Sequence, residues 1–203
     1  MSLDLPESLA DAWQPLGTRT AETSVMMATI TAETRLYEPV DTPAIRASDS
    51  KIPIRSLFGV DLSFSPPLGA LGISPADVFS IAAPKAKRQF VSTIEDEGVI
   101  VEQTRDKHSF QASNGTTGRW FVLDVSYPLS AEATSAGAEQ LPAETHVAVW
   151  PTTETFEMAG GTLPLEAPSE LDRSVATELT IDPQRDRERI ATLVRSIGTT
   201  DED

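Results

Sequence analysis

Histidine is the side chain best suited to proton transfer or metal binding near neutral pH. The sequence contains two histidines. His108 and His146 lie in predicted strands of different hairpins, so the fold could bring them together. With a carboxylate such as Glu102, Asp106 or Asp124, two imidazoles could in principle hold a metal ion. Neither histidine has a recognisable ligand spacing, however. We therefore predict a polar site at His108 and His146 that uses no metal and no other cofactor.

Two tryptophans and a pair of glycines form a second candidate, a surface for a ligand or a partner. Trp120 and Trp150 lie in predicted strands, where aromatic side chains usually pack in the core or in cross-strand pairs. If both were exposed on one face, they would mark a binding surface. Gly160 and Gly161 follow a predicted strand and permit backbone conformations closed to other residues. They indicate a bulge, a sharp exit from the sheet or the close approach of a ligand.

Motifs for covalent catalysis and phosphate binding are absent from the sequence. It contains no cysteine, which excludes disulfides, thiolate metal sites and cysteine nucleophiles. No Gly-x-Ser-x-Gly elbow and no glycine-rich phosphate loop can be recognised. Among 31 acidic residues the sequence does not show which carboxylate is buried, so a general acid or base cannot be assigned. We therefore predict no catalytic residue.

The charge composition is strongly unbalanced. Asp and Glu number 31 against 16 Lys and Arg, only four of which are Lys, and the formal net charge is −15. Such an excess destabilises the compact state by self-repulsion at low ionic strength, whereas in molar salt the screening length falls to about 3 Å. Few lysines and many carboxylates are typical of proteins from salt-accumulating halophiles. The composition therefore predicts a protein adapted to concentrated salt; the alternative is an ordinary acidic protein of a mesophile.

The same charge argues against nucleic acid as a partner, because affinity for phosphates depends on clustered Lys and Arg. No stretch approaches roughly 18 consecutive apolar residues, the length that a membrane span requires. The N-terminal residues do not resemble a secretory signal. We expect a cytoplasmic protein that does not bind nucleic acid and has no membrane span. Its partner is an unknown protein or a small-molecule ligand, and the sequence does not determine its oligomeric state.

Strand and helix patterns follow one another in the manner of the α+β class. Residues 55–64 alternate apolar and polar side chains and predict a half-buried strand. Ser74, followed by proline, predicts the start of a helix in which Pro84 could produce a kink or a break. Apolar residues at helical spacing predict a C-terminal helix after Asp182: Ile190, Leu193, Val194 and Ile197.

These patterns predict an α+β fold, mainly an antiparallel sheet covered by two to three helices, including a C-terminal helix. We expect an N-terminal helical segment over residues 1–17 and a single α+β domain over 18–198. A mobile loop is predicted at about 129–144, and residues 199–203 are predicted to form an acidic tail. The N-terminal helix is predicted from four apolar residues at helical spacing: Leu5, Leu9, Trp13 and Leu16.

Two segments of the sheet-forming middle of the chain, Thr34–Glu38 and Met158–Pro164, resemble segments of small uncharacterised haloarchaeal proteins of similar length. In element order the chain also resembles the PsbP/Mog1-like arrangement of helices and strands. No activity is known for the haloarchaeal proteins. The resemblance therefore implies a lineage and transfers no site residue.

Three functional hypotheses fit these patterns. The leading one is a non-enzymatic binding or accessory domain of a halophilic cytoplasm, because a well-formed α+β pattern stands beside an absence of catalytic motifs. The alternatives are an enzyme of unfamiliar type with an acid- and histidine-lined pocket, and a self-associating structural protein. An enzyme requires a concave pocket with converging polar groups, whereas a binding module requires an accessible patch or an open sheet edge. A self-associating protein requires an apolar patch that meets its own copy.

Overall fold

Seven antiparallel strands form one sheet at the centre of the molecule. The computed structural model describes residues 5–25, 28–41, 50–128, 140–166 and 181–197. The strands are β1 (Trp13–Val25), β2 (Ala28–Pro39), β3 (Ser56–Ser65), β4 (Ile100–Gln111), β5 (Thr117–Pro128), β6 (Gln140–Pro151) and β7 (Phe156–Pro164). Across the sheet their order is β1-β2-β3-β7-β6-β5-β4. The antiparallel sheet confirms this part of the predicted fold.

Helices cover both faces of the sheet, which confirms the predicted α+β class. They are α1 (Glu7–Ala10), α2 (Pro75–Asp96) and the C-terminal helix α3 (Pro183–Ser196). The helix α2 packs on one face, and α1 and α3 pack on the other. In the described part of the chain, no helix is long and apolar enough to cross a membrane.

The core between the sheet and α2 is built from every second residue of the central strands. In β5 these include Phe121 and Leu123, and α2 contributes Ala83. Phe58 of β3 stacks on Phe90 of α2 with ring centroids 4.9 Å apart. Because successive strand residues point to opposite faces, the intervening residues of the same strands face α3.

The helix α3 packs on its face of the sheet through the apolar stripe predicted from the sequence. Ile190, Leu193 and Val194 are at most 1% exposed. They belong to a cluster with Leu57 of β3 and Leu163 of β7. The predicted C-terminal helix and its buried side are therefore confirmed.

Polar contacts fix the first turns of α3. Asp182 caps the helix by accepting a hydrogen bond from the backbone N–H of Arg185 at 3.1 Å. Asp186, only 2% exposed, accepts hydrogen bonds from Arg55 Nε at 2.8 Å and from Arg189 Nη1 at 3.2 Å. A buried carboxylate is costly unless it is paired and hydrogen-bonded. These contacts therefore hold the start of α3 at one position on the sheet.

Gly160 and Gly161 lie inside β7 at two close approaches of neighbouring chain. A Cβ atom on Gly160 would lie 1.9 Å from the carbonyl oxygen of His146 in β6. One on Gly161 would lie 2.5 Å from the carbonyl oxygen of Ser56 and 2.9 Å from Cγ1 of Ile190 in α3. Of the three alternatives predicted for these glycines, the bulge and the sharp exit from the sheet are wrong, because β7 continues past both glycines with an unshifted register. The missing side chains instead let α3 and the adjacent strands pack closely.

The predicted N-terminal helix over residues 1–17 is wrong beyond its first turn. The helix α1 ends at Ala10, and β1 begins at Trp13 by pairing with Pro39 of β2. Leu9 and Trp13, whose spacing suggested one helical face, are both buried in the cluster beneath α3. A short helix followed by a strand can bury the same residues, so the spacing alone did not distinguish the two conformations.

Two further expectations differ from the structure. One helix, α2, runs through Pro84 without a break, because its apolar side packs continuously on the sheet. The strand β6 begins at Gln140, within the predicted mobile loop at 129–144. The remainder of that loop and the predicted tail at 199–203 lie outside the described residues.

The two outer strands of the sheet are irregular and mostly exposed. The strand β1 has one register shift, between Pro15 and Gly17. The strand β4 has two, within residues 101–106, and most of its side chains are exposed. Bulges and exposed charges on edge strands oppose pairing with another chain.

Candidate functional site

An open cleft lies between α3 and the β4 side of the sheet, with a volume of about 550 Å³. We call it the α3–β4 cleft. Residues from four elements line it, namely His108 and Phe110 of β4, Trp120 of β5, His146 of β6, and Arg187 and Arg195 of α3. Three of the residues selected from the sequence, His108, Trp120 and His146, therefore meet in one accessible cavity.

Strand register brings these aromatic rings together. His108 and Trp120 are direct cross-strand partners, and their rings stack with centroids 5.8 Å apart and planes 19° apart. Trp120 meets the ring of His146 edge-on, at 5.8 Å and 89°. Phe110, two residues after His108 and on the same face, meets Trp120 edge-on at 5.6 Å. Such cross-strand aromatic contacts stabilise a sheet and give this wall of the cleft a fixed shape.

Both ring nitrogens of His146 are occupied by other side chains. Nδ1 lies 2.9 Å from Trp120 Nε1, and Nε2 lies 2.5 Å from Glu144 Oε1. An indole N–H can only donate, so Nδ1 must accept and the ring proton must reside on Nε2. His146 therefore presents neither a lone pair nor a proton to a molecule in the cleft.

Glu144 is the centre of the polar network behind the cleft. Its side chain is 1% exposed and accepts hydrogen bonds from Arg187 Nε at 2.7 Å and Arg187 Nη2 at 2.8 Å, and also from Arg105. Burial alone would raise the pKa of Glu144, but the hydrogen bonds from Arg187, His146 and Arg105 lower this pKa well below its ordinary value. An ionised Glu144 thus orients Arg187 and His146.

The two arginines of α3 that line the cleft retain free N–H donors towards it. Arg187 uses its Nε–H and one Nη2–H for Glu144, which leaves three of its five N–H donors. Arg195 is exposed in the last turn of α3. Within the part of the chain that the structure describes, it forms no hydrogen bond or ion pair. The helix therefore offers two guanidinium groups to the cavity.

His108 is the exposed member of the aromatic wall. Its side chain is 49% exposed, and its Nδ1 lies 3.4 Å from Asp106 Oδ2. One side of its ring is stacked on Trp120, so contact with a ligand would fall on the remainder of the ring.

The other sequence-selected residues lie behind the cleft, in the core. Trp150 is 0% exposed and donates from Nε1 to Glu157 Oε2 at 2.9 Å. Gly160 and Gly161 are buried within β7. The expected ligand surface is therefore divided, since only Trp120 reaches the cleft and the remaining three residues support the sheet.

The sequence did not reveal the polar network of Glu144, Arg105 and Arg187, nor the lining residues Phe110 and Arg195. Arg187 lies 43 residues from Glu144, and Arg105 lies 39 residues from it. No local motif connects such distant residues. One signal was available, because Glu144 and His146 are two apart in a strand and must share a face. Across the described residues, no group of three His, Asp or Glu is arranged to hold a metal ion.

A family model described as DUF6517, a domain of unknown function, matches residues 11–198. The chain belongs to the DUF6517 family. The strands, α2 and α3 all lie within the matched range, so the α3–β4 cleft is part of the DUF6517 domain. Neither the curated proteins nor the solved structures gave a match. The haloarchaeal lineage and the PsbP/Mog1-like topology therefore stay predictions.

Proposed function

We propose that this DUF6517 domain is a non-enzymatic binding domain whose ligand occupies the α3–β4 cleft. The observation that carries the proposal is the convergence of His108, Trp120, His146 and two arginines on one open cavity. Its volume of about 550 Å³ falls in the range of roughly 300–1,000 Å³ usual for small-molecule sites. An aromatic wall faced by a few polar groups is also the usual composition of such sites.

The hydrogen bonds of His146 and Glu144 support binding rather than proton transfer by these two residues. A general acid or base needs a nitrogen or oxygen within reach of the substrate. Both nitrogens of His146 are engaged, and the carboxylate of Glu144 is shared among two arginines and a histidine. What faces the cavity is the exposed imidazole of His108, stacked on Trp120, together with guanidinium N–H groups. His108 keeps an exposed ring nitrogen, but the described lining brings no second free acid or base to it, so the lining is better suited to stacking and hydrogen bonding than to acid–base catalysis.

The proposed setting is the cytoplasm of a salt-accumulating cell. The net charge of −15 and the presence of only four lysines support this setting. Among the described residues, the buried acids are Glu144, Glu157 and Asp186. Most of the acidic side chains that the structure describes therefore face solvent, where carboxylates hold water and ions in concentrated salt.

The proposal can be tested by NMR with a library of small metabolites. The three tryptophans give three indole N–H signals, of which Trp120 reports on the cleft and Trp13, at the opposite edge of the sheet, serves as an internal reference. A true ligand should move the Trp120 signal and leave the Trp13 signal unchanged. His108→Ala should weaken its binding, whereas Lys107→Ala, on the other side of β4, should not.

Two results would refute the proposal. One is a library in which no compound moves the Trp120 signal. The other is a set of ligands that bind with the same affinity to wild type and to His108→Ala, because the site would then lie elsewhere.

A further inference from the structure

The lining of the α3–β4 cleft differs in charge from the rest of the molecule. The chain carries 31 acidic and 16 basic residues. Among the described residues that line the cleft, there are two arginines and two histidines but no Asp or Glu. Glu144 balances the charge of Arg187 from behind the wall, and Glu188 lines the adjoining groove of the same helix, whereas Arg195 has no partner among the described residues. Within a strongly negative protein, the lining of the cleft itself therefore favours an anion near Arg195.

The geometry of α3 leaves room for an anionic group between the two arginines. Arg187, Ala191 and Arg195 are spaced four residues apart and lie on one side of the helix. The Cα atoms of the two arginines are about 12 Å apart at 1.5 Å per residue. Ala191 between them has a small side chain, and all three residues line the cleft. Planar guanidinium groups bind carboxylate and phosphate through paired hydrogen bonds.

The opposite wall of the cleft suits a flat ring. The imidazole of His108 lies stacked on Trp120, and Phe110 stands edge-on to the same indole. Because the backing rings fix its orientation, His108 presents a flat surface that needs no rearrangement. Stacking on such a surface adds to the free energy of binding beyond the area that is buried.

We propose that the ligand is a flat organic anion, an aromatic or heteroaromatic ring bearing a carboxylate or phosphate group. Its anionic group lies above Ala191 between Arg187 and Arg195, and its ring stacks on His108. This inference rests on the proposed function, because it names the ligand class of the same cleft. Glu144 is a positioning residue in this arrangement, since it holds Arg187 by two hydrogen bonds and does not face the ligand.

Three probes of similar size test the inference: benzoate, phenyl phosphate and the uncharged benzamide. We expect at least one of the anions to move the Trp120 indole signal and to bind at least tenfold more tightly than benzamide. Arg195→Gln should reduce the affinity for that anion about tenfold, the loss of roughly one charge-assisted contact. The matched control is Arg88→Gln, an exposed arginine of α2 on the other face of the sheet, which should change nothing. The better of the two anions identifies the headgroup.

Three outcomes would overturn the inference. They are equal affinity for benzamide and for both anions, an unchanged anion affinity in Arg195→Gln, and no movement of the Trp120 signal with any probe. Neutral metabolites that bind with loss of affinity in His108→Ala would leave the α3–β4 cleft as the binding site, so the two proposals can fail separately.

Discussion

Two buried glutamates on neighbouring strands have pKa values shifted in opposite directions. Glu144 of β6 is 1% exposed and Glu157 of β7 is 2% exposed. Burial raises both pKa values, but for Glu144 the hydrogen bonds from two arginines and His146 outweigh it. For Glu157, burial and the nearby charge of Asp61 outweigh the single hydrogen bond from Trp150, so its pKa is raised. The number of cationic hydrogen-bond partners thus decides whether the pKa of each glutamate is lowered or raised.

Glu144→Gln should destabilise the protein by about 1–2 kcal/mol at pH 7, because it removes charged hydrogen bonds to arginines that are themselves partly exposed. The folded-state pKa of Glu144 is lowered, so its contribution is complete above the unfolded-state pKa of about 4.3 and is lost as the pH falls. Urea unfolding in constant KCl should therefore show a difference in the free energy of unfolding between wild type and Glu144→Gln, and this difference should decrease below about pH 4. A difference independent of pH, or an equal effect of Glu102→Gln on the exposed edge strand, would contradict the role of ionised Glu144.

Glu157→Gln should have the opposite effect and raise the melting temperature at pH 7 by about 1–3 °C. The folded-state pKa of Glu157 is raised, so the wild type loses stability as the pH rises through that pKa, whereas glutamine does not ionise. Glutamine also retains an oxygen that can accept from Trp150. The melting temperatures of the two proteins should converge at pH 4 and below. The control is Glu154→Gln, in the exposed turn of the same hairpin, whose melting temperature should differ little from wild type at any pH. A lower melting temperature for Glu157→Gln than for wild type at pH 7 would refute the prediction.

At the scale of elements, α3 approaches the sheet closely where it crosses β7. Gly161 lies directly beneath Ile190, and the backbone of Ser56 lies beside it. The attachment of α3 depends on this close contact and on the buried pair of Asp186 with Arg55. Because α3 also carries Arg187 and Arg195, the position of this helix determines the shape of the cleft.

Gly161→Ala should cost about 1–3 kcal/mol, because its Cβ would lie 2.5 Å from a backbone oxygen and force α3 or β3 to shift. Gly69→Ala is the matched control, since no atom lies within 4 Å of the Cβ position there. Its stability should be unchanged or slightly raised. Urea unfolding of both variants provides the comparison. Equal losses of stability would indicate that packing at Gly161 is not the cause.

The elements that could be predicted from the sequence are those whose local pattern matches their final burial. In α3, the spacing of Ile190 and Leu193 and the cap at Asp182 all agree with the structure. The N-terminal segment failed because Trp13 begins a strand whose partner, Pro39, is distant in sequence. The conformation of such a segment depends on strand pairing with residues distant in sequence, and a local pattern of apolar residues does not show that pairing.

The site was only partly predictable for the same reason. The sequence identified His108, His146 and Trp120 by their residue types, and strand register brings them together. It could not identify Arg187, which resembles any solvated helix residue until α3 is placed beside Glu144. Residues that act through distant partners become recognisable only when the topology is known.

At the scale of the whole molecule, negative charge is concentrated on the surface. Of the 21 acids that the structure describes, three are buried and most of the others are exposed. Arginines pair with some exposed acids, as Arg19 does with Glu97, but such exposed pairs contribute little to stability. The stability of the fold should therefore depend on dissolved ions.

Dialysis from molar KCl into dilute buffer should cause loss of cooperative structure, because the self-repulsion of a chain with net charge −15 is then no longer screened. Circular dichroism and thermal unfolding across a KCl series measure the effect. Sucrose at equal osmolality should not replace KCl fully, since it does not screen charge. Unchanged spectra and melting temperatures in dilute buffer would show that the surface charge is tolerated without salt.

In molar salt, the irregular shape of the outer strands β1 and β4 affects whether copies of the protein associate. Where ions screen charge over about 3 Å, two copies of an acidic protein no longer repel each other at a distance. Crowded molecules could then join edge to edge and grow into fibres. The register shifts of β1 and β4 interrupt the straight row of backbone groups that such growth requires. In concentrated salt, the irregular backbone of the two outer strands therefore opposes the edge-to-edge association that charge repulsion prevents for other proteins in dilute solution.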